Sequence, residues 1–528
     1  MKNFKIKNVH VAIVLKGVCL PAFIGCLIAF LPRHLSAQEG YDVFLIRDVV
    51  PFGEQGFAAV FLDHPDDPTR LRLDFFNPDN TQSHSRTISL ERQGIRAKYE
   101  GAFSWGGKLN ILTSLYYPGP KRNHLIIQQY SVPELQELRS LVVDEAYTPQ
   151  LYRIPFGYAM SPDSSKIMCY AWSYTLPKDP ARVSVTVLDT ELDTVWKQRY
   201  ILPYNNESLY IYNCRLTDDG RAFLLCENYQ GKVGGTIDEN KIDHFVLGAE
   251  KGSENMIIYD LKKPGYTLRG LHIDPAPGNA MAGAAFYQEP GKDVHLGIFA
   301  FYIPPAGGQM TQQSIPIAKE NYQEAYPFPN GDGLGNANRH RFEAYTVQHV
   351  EFMPDSSMMV VAEQEYYSEA TGVLEHNDIL ALRLRQSRIS WMTRIPKRQS
   401  ESYNKAIFTP FSYKMLKNNE KWYFLFNDEE RNYGSDLNTR WLSTYVGDMG
   451  TAVATELNPS NGSLRWHLLT RLLREKSVRK IWTSHCWDLN TRDILIFGEG
   501  SVPVIGQNYL IGISWDELRR QPSLQWKP

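Results

Sequence analysis

One stretch constrains the chain more than any other. Residues 345–397, YTVQHVEFMPDSSMMVVAEQEYYSEATGVLEHNDILALRLRQSRISWMTRIPK, read as four short strands separated by three turns. Residues 345–352 and 358–366 are rich in Val, Phe, Met and Tyr, which suit a pleated, half-buried surface. Between them Pro354 presets a turn φ, and Asp355, Ser356 and Ser357 offer side chains that hydrogen-bond nearby backbone N–H groups. A third strand over 378–384 and a fourth carrying Ile389, Trp391 and Ile395 follow, and Pro396 ends the last.

The same rhythm recurs along the chain, in clusters over 41–90, 99–143, 154–201, 209–260, 268–317, 407–469 and 480–526. Ser161-Pro162-Asp163-Ser164 stands where Pro354-Asp355-Ser356-Ser357 stands in the reference block. The fourth cluster carries a polar insert at 231–254, and residues 523–526 supply the last strand of the eighth. Repeated four-strand units with no low-complexity linker predict an all-β chain, a single β-propeller over residues 38–528 with seven or eight four-stranded blades. The lower count applies if the first cluster is decoration.

Residues 1–37 stand apart. Lys2, Lys5, Lys7 and Lys16 precede an apolar run at 17–31, and Leu35-Ser36-Ala37 offers a small residue for cleavage, so the segment reads as a signal peptide with a mature start near Gln38. A retained anchor competes, but the run is short of the ~20 residues that span a bilayer. Lipidation at Cys26 also competes, although the apolar run continues past it. The expected location is therefore outside the cytoplasm, in the periplasm or at the outer membrane or cell surface, with no transmembrane span in the mature chain. Cys169, Cys214, Cys226 and Cys486 remain after cleavage, each in an apolar segment. A two-residue loop at Asp218-Asp219 sets Cys214 opposite Phe223 and Cys226 on the other face, which argues against a bridge.

The fourth strands share a phase, with Trp196, Trp391, Trp466 and Trp526 each following a polar turn. TELNPSNGSLRW and VLDTELDTVW resemble the Asp…Gly…Trp repeats of PQQ-type propellers, in which the Trp docks between blades. The resemblance implies seam packing by these Trp residues and no quinone; no cofactor is expected. The reference block also resembles a group of exported propeller proteins of Bacteroidetes-like bacteria through Ala362-Glu363-Gln364-Glu365-Tyr366-Tyr367, His376-Asn377-Asp378-Ile379 and Arg394-Ile395-Pro396-Lys397-Arg398-Gln399. That likeness implies fold and export and carries over no chemistry. The chain departs from the group at Ser356-Ser357, where the first turn usually has Gly.

A net charge of −2 over 528 residues gives no broad basic field for nucleic acid. The basic run Arg471, Arg474, Lys476, Arg479 and Lys480 reads as a solvated connection. PNGDGLGN at 329–336 fails as a calcium loop because Leu334 and Arg341 occupy positions that need oxygen ligands, and no metal site is expected. The long inserted loop at 320–343 places Tyr322, Tyr326 and Phe328 beside Arg339, His340 and Arg341, a candidate binding surface. Glu363, Glu365, His376 and Asp378 form the densest titratable set; paired carboxylates on one strand face could serve glycoside hydrolysis, and a solvated face or hydrogen-bond network is the plainer reading. His485 and Cys486 are adjacent on a strand and point apart, so they form no nucleophile–base pair. The expectation is a non-catalytic exported protein that docks other cell-envelope proteins or extended ligands on its propeller ends and loops. The alternative is a propeller hydrolase acting on carbohydrate or peptide, whose acidic groups converge from several blades.

Overall fold

The computed structural model describes residues 46–526 except 65–66, 80, 93, 149–155, 230–241, 306–307, 319, 322–341, 369–372, 403–410, 419, 430–431, 434–444, 446–449, 470–471, 474–477, 489–492, 501–507 and 522. The segment read as a signal peptide, and Tyr322, Tyr326, Phe328, Arg339, His340 and Arg341, lie outside the described residues. No helix among the described residues is long and apolar enough to cross a membrane.

Among the described residues the strands form successive antiparallel sheets in chain order, seven of them with four or five strands and one, the last, with three. Each sheet's innermost strand comes first: Ile46–Pro51, Ile95–Trp105, Phe156–Met160, Leu209–Leu216, Thr267–Ala276, Tyr345–Phe352, Lys414–Asn418 and Val478–Asp488 in blades 1 to 8. The second blade is prefaced by a two-residue strand, Glu91–Arg92. Val478–Asp488 packs against both Lys414–Asn418 and Ile46–Pro51, which closes the ring.

Blades stack through apolar layers. Met359, Val361 and Trp391 of the sixth meet Trp422, Phe424 and Trp466 of the seventh in one buried layer. Each such side chain contributes about 1.5–3 kcal/mol on burial. A strand flanked on both faces must be apolar throughout and small where a neighbour intrudes. Ala280–Gln288 is buried at every residue, and a Cβ on its Gly283 would sit 2.1 Å from the Phe301 ring.

We call the end at which innermost strands begin the upper end. The first turns lie at the lower end and hook blade to blade. Trp105 Nε1 donates to the Ser164 carbonyl (2.8 Å) of the third blade's first turn, and Trp196 Nε1 to the Gly220 carbonyl (3.0 Å) of the fourth's. The Asp163 N–H donates to Asp218 Oδ1 (2.9 Å) and the Asp219 N–H to Asn279 Oδ1 (3.1 Å), which links blades 3, 4 and 5. Asp355 accepts from Ser357 and from Arg383, whose guanidinium continues to the Pro459 and Ser460 carbonyls of blade 7.

Ser164 and Ser356 hold φ of 55° and 62°, the left-handed region that a side chain disfavours. This is where the turn lacks its usual Gly. Ser356→Gly is expected to stabilise the chain by about 1 kcal/mol, read as a higher urea midpoint with unchanged slope.

The first cluster, which the sequence leaves open between a blade and decoration, forms a four-stranded sheet. Three expectations are corrected. The polar insert of the fourth blade contains its third strand, Ile242–Ala249, whose HFVLGA core is short and flanked by polar residues. The terminal strand Ser523–Trp526 pairs with Leu464–Leu468 of blade 7, not with blade 8, because the helix Trp515–Arg520 intervenes, started by a capping box between Ser514 and Glu517. The loop after Cys214 takes three residues, closed by Gly220 at φ 89°, so Cys214 faces Leu224 and shares one apolar layer with Cys226. All four described cysteines are buried, and no disulfide joins any of them.

The Trp residues do not share one direction. Trp196 lies in the layer between blades 3 and 4, and Trp391 faces blade 7. Trp466 packs from blade 7 back towards blade 6, edge to face on Phe426. Blades 3 and 6 carry a register shift between third and fourth strands that blade 7 lacks, and a one-residue slip exchanges faces. Trp526 pairs its backbone with Leu464, and its side chain lies outside the described residues.

Candidate functional site

Innermost strands in this ring do not keep strict alternation. Register shifts fall between Ile46 and Asp48, Tyr99 and Gly101, Ile211 and Asn213, Arg269 and His272, and Val347 and His349. A bulge re-aims the side chains beside it. Polar side chains cluster at these positions, next to the axis.

Four consecutive blades are joined there by one ladder of charges. Arg215 of blade 4 donates from Nε to Asp274 Oδ1 (2.9 Å) of blade 5, and His272 Nε2 lies 3.1 Å from Asp274 Oδ2. His349 Nδ1 of blade 6 lies 3.0 Å from the same oxygen, which also accepts from the Val350 N–H (2.9 Å). Glu351 then pairs with Lys417 of blade 7. Burial pushes the Asp274 carboxyl up, but hydrogen bonds from His272 and His349 outweigh it and hold it well below the usual carboxylate range. Burial likewise pushes His349 down, and Asp274 and Glu351 together raise it above the ordinary imidazole value.

Beside Arg215 a pocket of about 330 Å³ opens between blades 2, 3 and 4. Tyr158, Tyr170 and Tyr212 wall it, with Glu100, Asn213 and Arg215 as its polar groups. Two glycines make room for these rings. A Cβ on Gly157 would lie 2.3 Å from the Tyr170 ring, and one on Gly101 would lie 2.5 Å from the Tyr158 hydroxyl. Burial pushes the Tyr158 phenol and the Cys214 thiol up to about 12, and raises Tyr170 and Tyr212 well above the ordinary phenol value. Glu100 accepts from Ser114 Oγ (2.5 Å) and from Lys98 Nζ (3.0 Å).

None of these axial residues was singled out by sequence reasoning. The available signal was the repeated His-x-acid before the first turn, His272-Ile273-Asp274 and His349-Val350-Glu351.

The titratable set that was singled out lies at the upper end of blade 6. Glu363, Glu365 and His376 bring one ligand atom each within 4.8 Å of one another. Glu363 is buried and already engaged: Lys397 Nζ donates to Oε1 (2.6 Å) and Ser412 Oγ to Oε2 (2.6 Å). A metal ion would have to take the place of the Lys397 ammonium. A register shift separates Glu363 from Glu365, whose side chain is 36% exposed against 2% for Glu363, so the two do not form an equivalent pair. Asp378 turns away to a two-point pair with Arg394, at 2.7 and 3.0 Å.

Lys397 also donates to the His376 carbonyl (3.1 Å) and Gln399 Oε1 (3.2 Å). Gln399 Nε2 donates to the Asn427 carbonyl (2.7 Å), and Asn427 exchanges two hydrogen bonds with the Ile481 backbone. The set is the hub of a buried network through blades 6, 7 and 8.

The chain is a β-propeller. No family model and no curated protein matches it. Among solved structures it is similar to the β-propeller domain of the Trilobed protease from Pyrococcus furiosus, at 9% identity over 81% of this chain and 94% of that one, TM-score 0.33. It is also similar to a PL25 ulvan lyase bound to -[GlcA(1-4)Rha3S]-, at 8% identity over 80% and 94%, TM-score 0.37. A third is the acylaminoacyl peptidase of Pyrococcus horikoshii, at 6% identity over 87% of this chain, which spans 58% of the peptidase, TM-score 0.33. These likenesses transfer no chemistry to the propeller.

One further carboxyl is titratable near neutrality. Asp428 ends the second strand of blade 7, fully buried, and burial pushes it up to about 7 against hydrogen bonds from Tyr433 Oη (2.7 Å), Asn432 Nδ2 (2.8 Å) and the Glu429 N–H (2.8 Å). An unfolded Asp titrates near ~3.9. Between about pH 4 and 7 the native propeller therefore holds a proton that the unfolded chain has released, so this group's contribution to stability falls as pH rises through that window and levels above it. Asp428→Asn is expected to flatten the decline, measured as urea midpoints from pH 4.5 to 7.5.

Proposed function

We propose that this protein is a non-catalytic binding propeller that works outside the cytoplasm and takes one unit of an extended ligand into the pocket between blades 2, 3 and 4. The observation that carries the reading is the wall of the pocket, three tyrosine rings with Glu100, Asn213 and Arg215 as its polar groups. Burial raises its phenols and its thiol further above physiological pH, which favours neither a thiolate nucleophile nor a phenolate base. Arg215 is committed to Asp274, and Glu100 to Lys98 and Ser114. What the pocket offers is aromatic surface with a few fixed polar groups, the composition of a recognition site.

Export rests on residues 1–37, and the chain recovered from its host envelope should begin near Gln38 by N-terminal sequencing. The binding reading is tested by titrating that chain with a panel of oligosaccharides and peptides while following ligand mass. Saturable binding with intact ligand recovered is expected; time-dependent shortening of a bound ligand would make it a hydrolase.

A further inference from the structure

We infer that the unit held in this pocket is a neutral, hydroxyl-rich ring, an uncharged sugar of a longer glycan rather than a uronate or sulfated one. The inference rests on the pocket being a binding site and names what it binds.

The strongest recognition element for an anionic sugar is a cationic fork with two free parallel N–H groups. Arg215 does not present one. Its Nε is held by Asp274, its Nη1 donates to Asn213 Oδ1 and to the Cys214 carbonyl (3.0 Å), and its Nη2 meets His272 Nε2 at 3.2 Å. Nε and both Nη1 N–H groups are thus taken, and His272 Nε2 directs its hydrogen at Asp274, so what Arg215 keeps for a ligand sits on Nη2 alone, which suits hydroxyl oxygens rather than a two-nitrogen fork. The charge is balanced as well. Asp274 neutralises Arg215 and Lys98 neutralises Glu100, so the pocket offers no uncompensated cation to a carboxylate or sulfate.

The rings are placed for the apolar face of a sugar. Tyr158 is 38% exposed on the innermost strand of blade 3 and stacks on Phe103 (5.7 Å). Tyr212 continues into Tyr210, which is 52% exposed nearer the upper end, with the two rings 6.4 Å apart and 19° from parallel. One unit in the pocket would therefore have a neighbour resting on Tyr210, as a chain and not a free monosaccharide requires.

The test uses neutral gluco-, manno- and galacto-oligosaccharides beside oligogalacturonate at physiological salt, titrated calorimetrically against the mature chain and its Tyr210→Ala and Glu100→Gln variants. At least one neutral series should bind about tenfold or more tighter than oligogalacturonate. Tyr210→Ala should weaken oligosaccharides severalfold while leaving the corresponding monosaccharide unchanged, and Glu100→Gln should narrow the neutral-to-uronate gap. Equal or tighter binding of oligogalacturonate overturns the neutral-ring inference and leaves the binding function standing. Failure of every sugar to bind overturns the sugar inference, and failure of the peptides as well overturns the binding function itself.

Discussion

Replacing Lys397 with Met is expected to cost about 3–5 kcal/mol of folding stability, among the largest losses any single side chain here should produce. The ammonium is wholly buried and sits 2.6 Å from Glu363, whose side chain is 2% exposed. Removing the cation leaves an ionised or newly protonated carboxyl enclosed by blade 6, and deprives Gln399 and the His376 carbonyl of a donor. The double variant Lys397→Met, Glu363→Gln has no uncompensated charge and should recover most of the loss. Urea unfolding of the three chains decides it; a single variant within about 1 kcal/mol of wild type would show that the network is not held by its ion pair.

Asp274→Ala should be nearly as costly, about 2–4 kcal/mol, because one carboxylate serves Arg215, His272, His349 and the Val350 N–H. The pH dependence should change with it. Asp274 is depressed in the folded state, so its contribution is present above the unfolded value near ~3.9 and is lost as pH falls through the folded one. His349 is raised, so its contribution is full below ~6.5 and is lost as pH rises through its folded value. Wild type should thus lose stability above about pH 6.5 through His349, and Asp274→Ala should lose much of that slope, which urea midpoints between pH 5 and 8.5 will show.

How much of this was legible in the sequence follows from which interactions are local. Strands and turns were readable because turn chemistry and alternation act within a few residues: Ser161-Pro162-Asp163-Ser164 and Pro354-Asp355-Ser356-Ser357 announce the same lower-end turn in blades 3 and 6. Glu363, Glu365 and His376 lie together because the second and third strands of blade 6 face each other across one hairpin, while Asp378 pairs with Arg394. The cation that engages Glu363 was not legible, because it arrives from Lys397, a fourth-strand connection beyond Pro396. The axial ladder was missed for a different reason. Bulges break period 2 where its side chains turn inward, and its partners, such as Arg215 and Asp274, lie 59 residues apart. The terminal strand was assigned to the wrong blade because Ser514 and Glu517 start a helix that carries the chain back to blade 7.

The central claim is that the axial pocket binds its ligand without turning it over. Hydrogen–deuterium exchange on the chain from Gln38, saturated with the best-binding oligosaccharide and with the ligand's mass followed in the same samples, tests it most directly. The account predicts new protection concentrated in the innermost strands of blades 2, 3 and 4, at Ile95–Trp105, Phe156–Met160 and Leu209–Leu216, with the ligand intact. Protection confined to other blades, or a ligand that shortens with time, would contradict it.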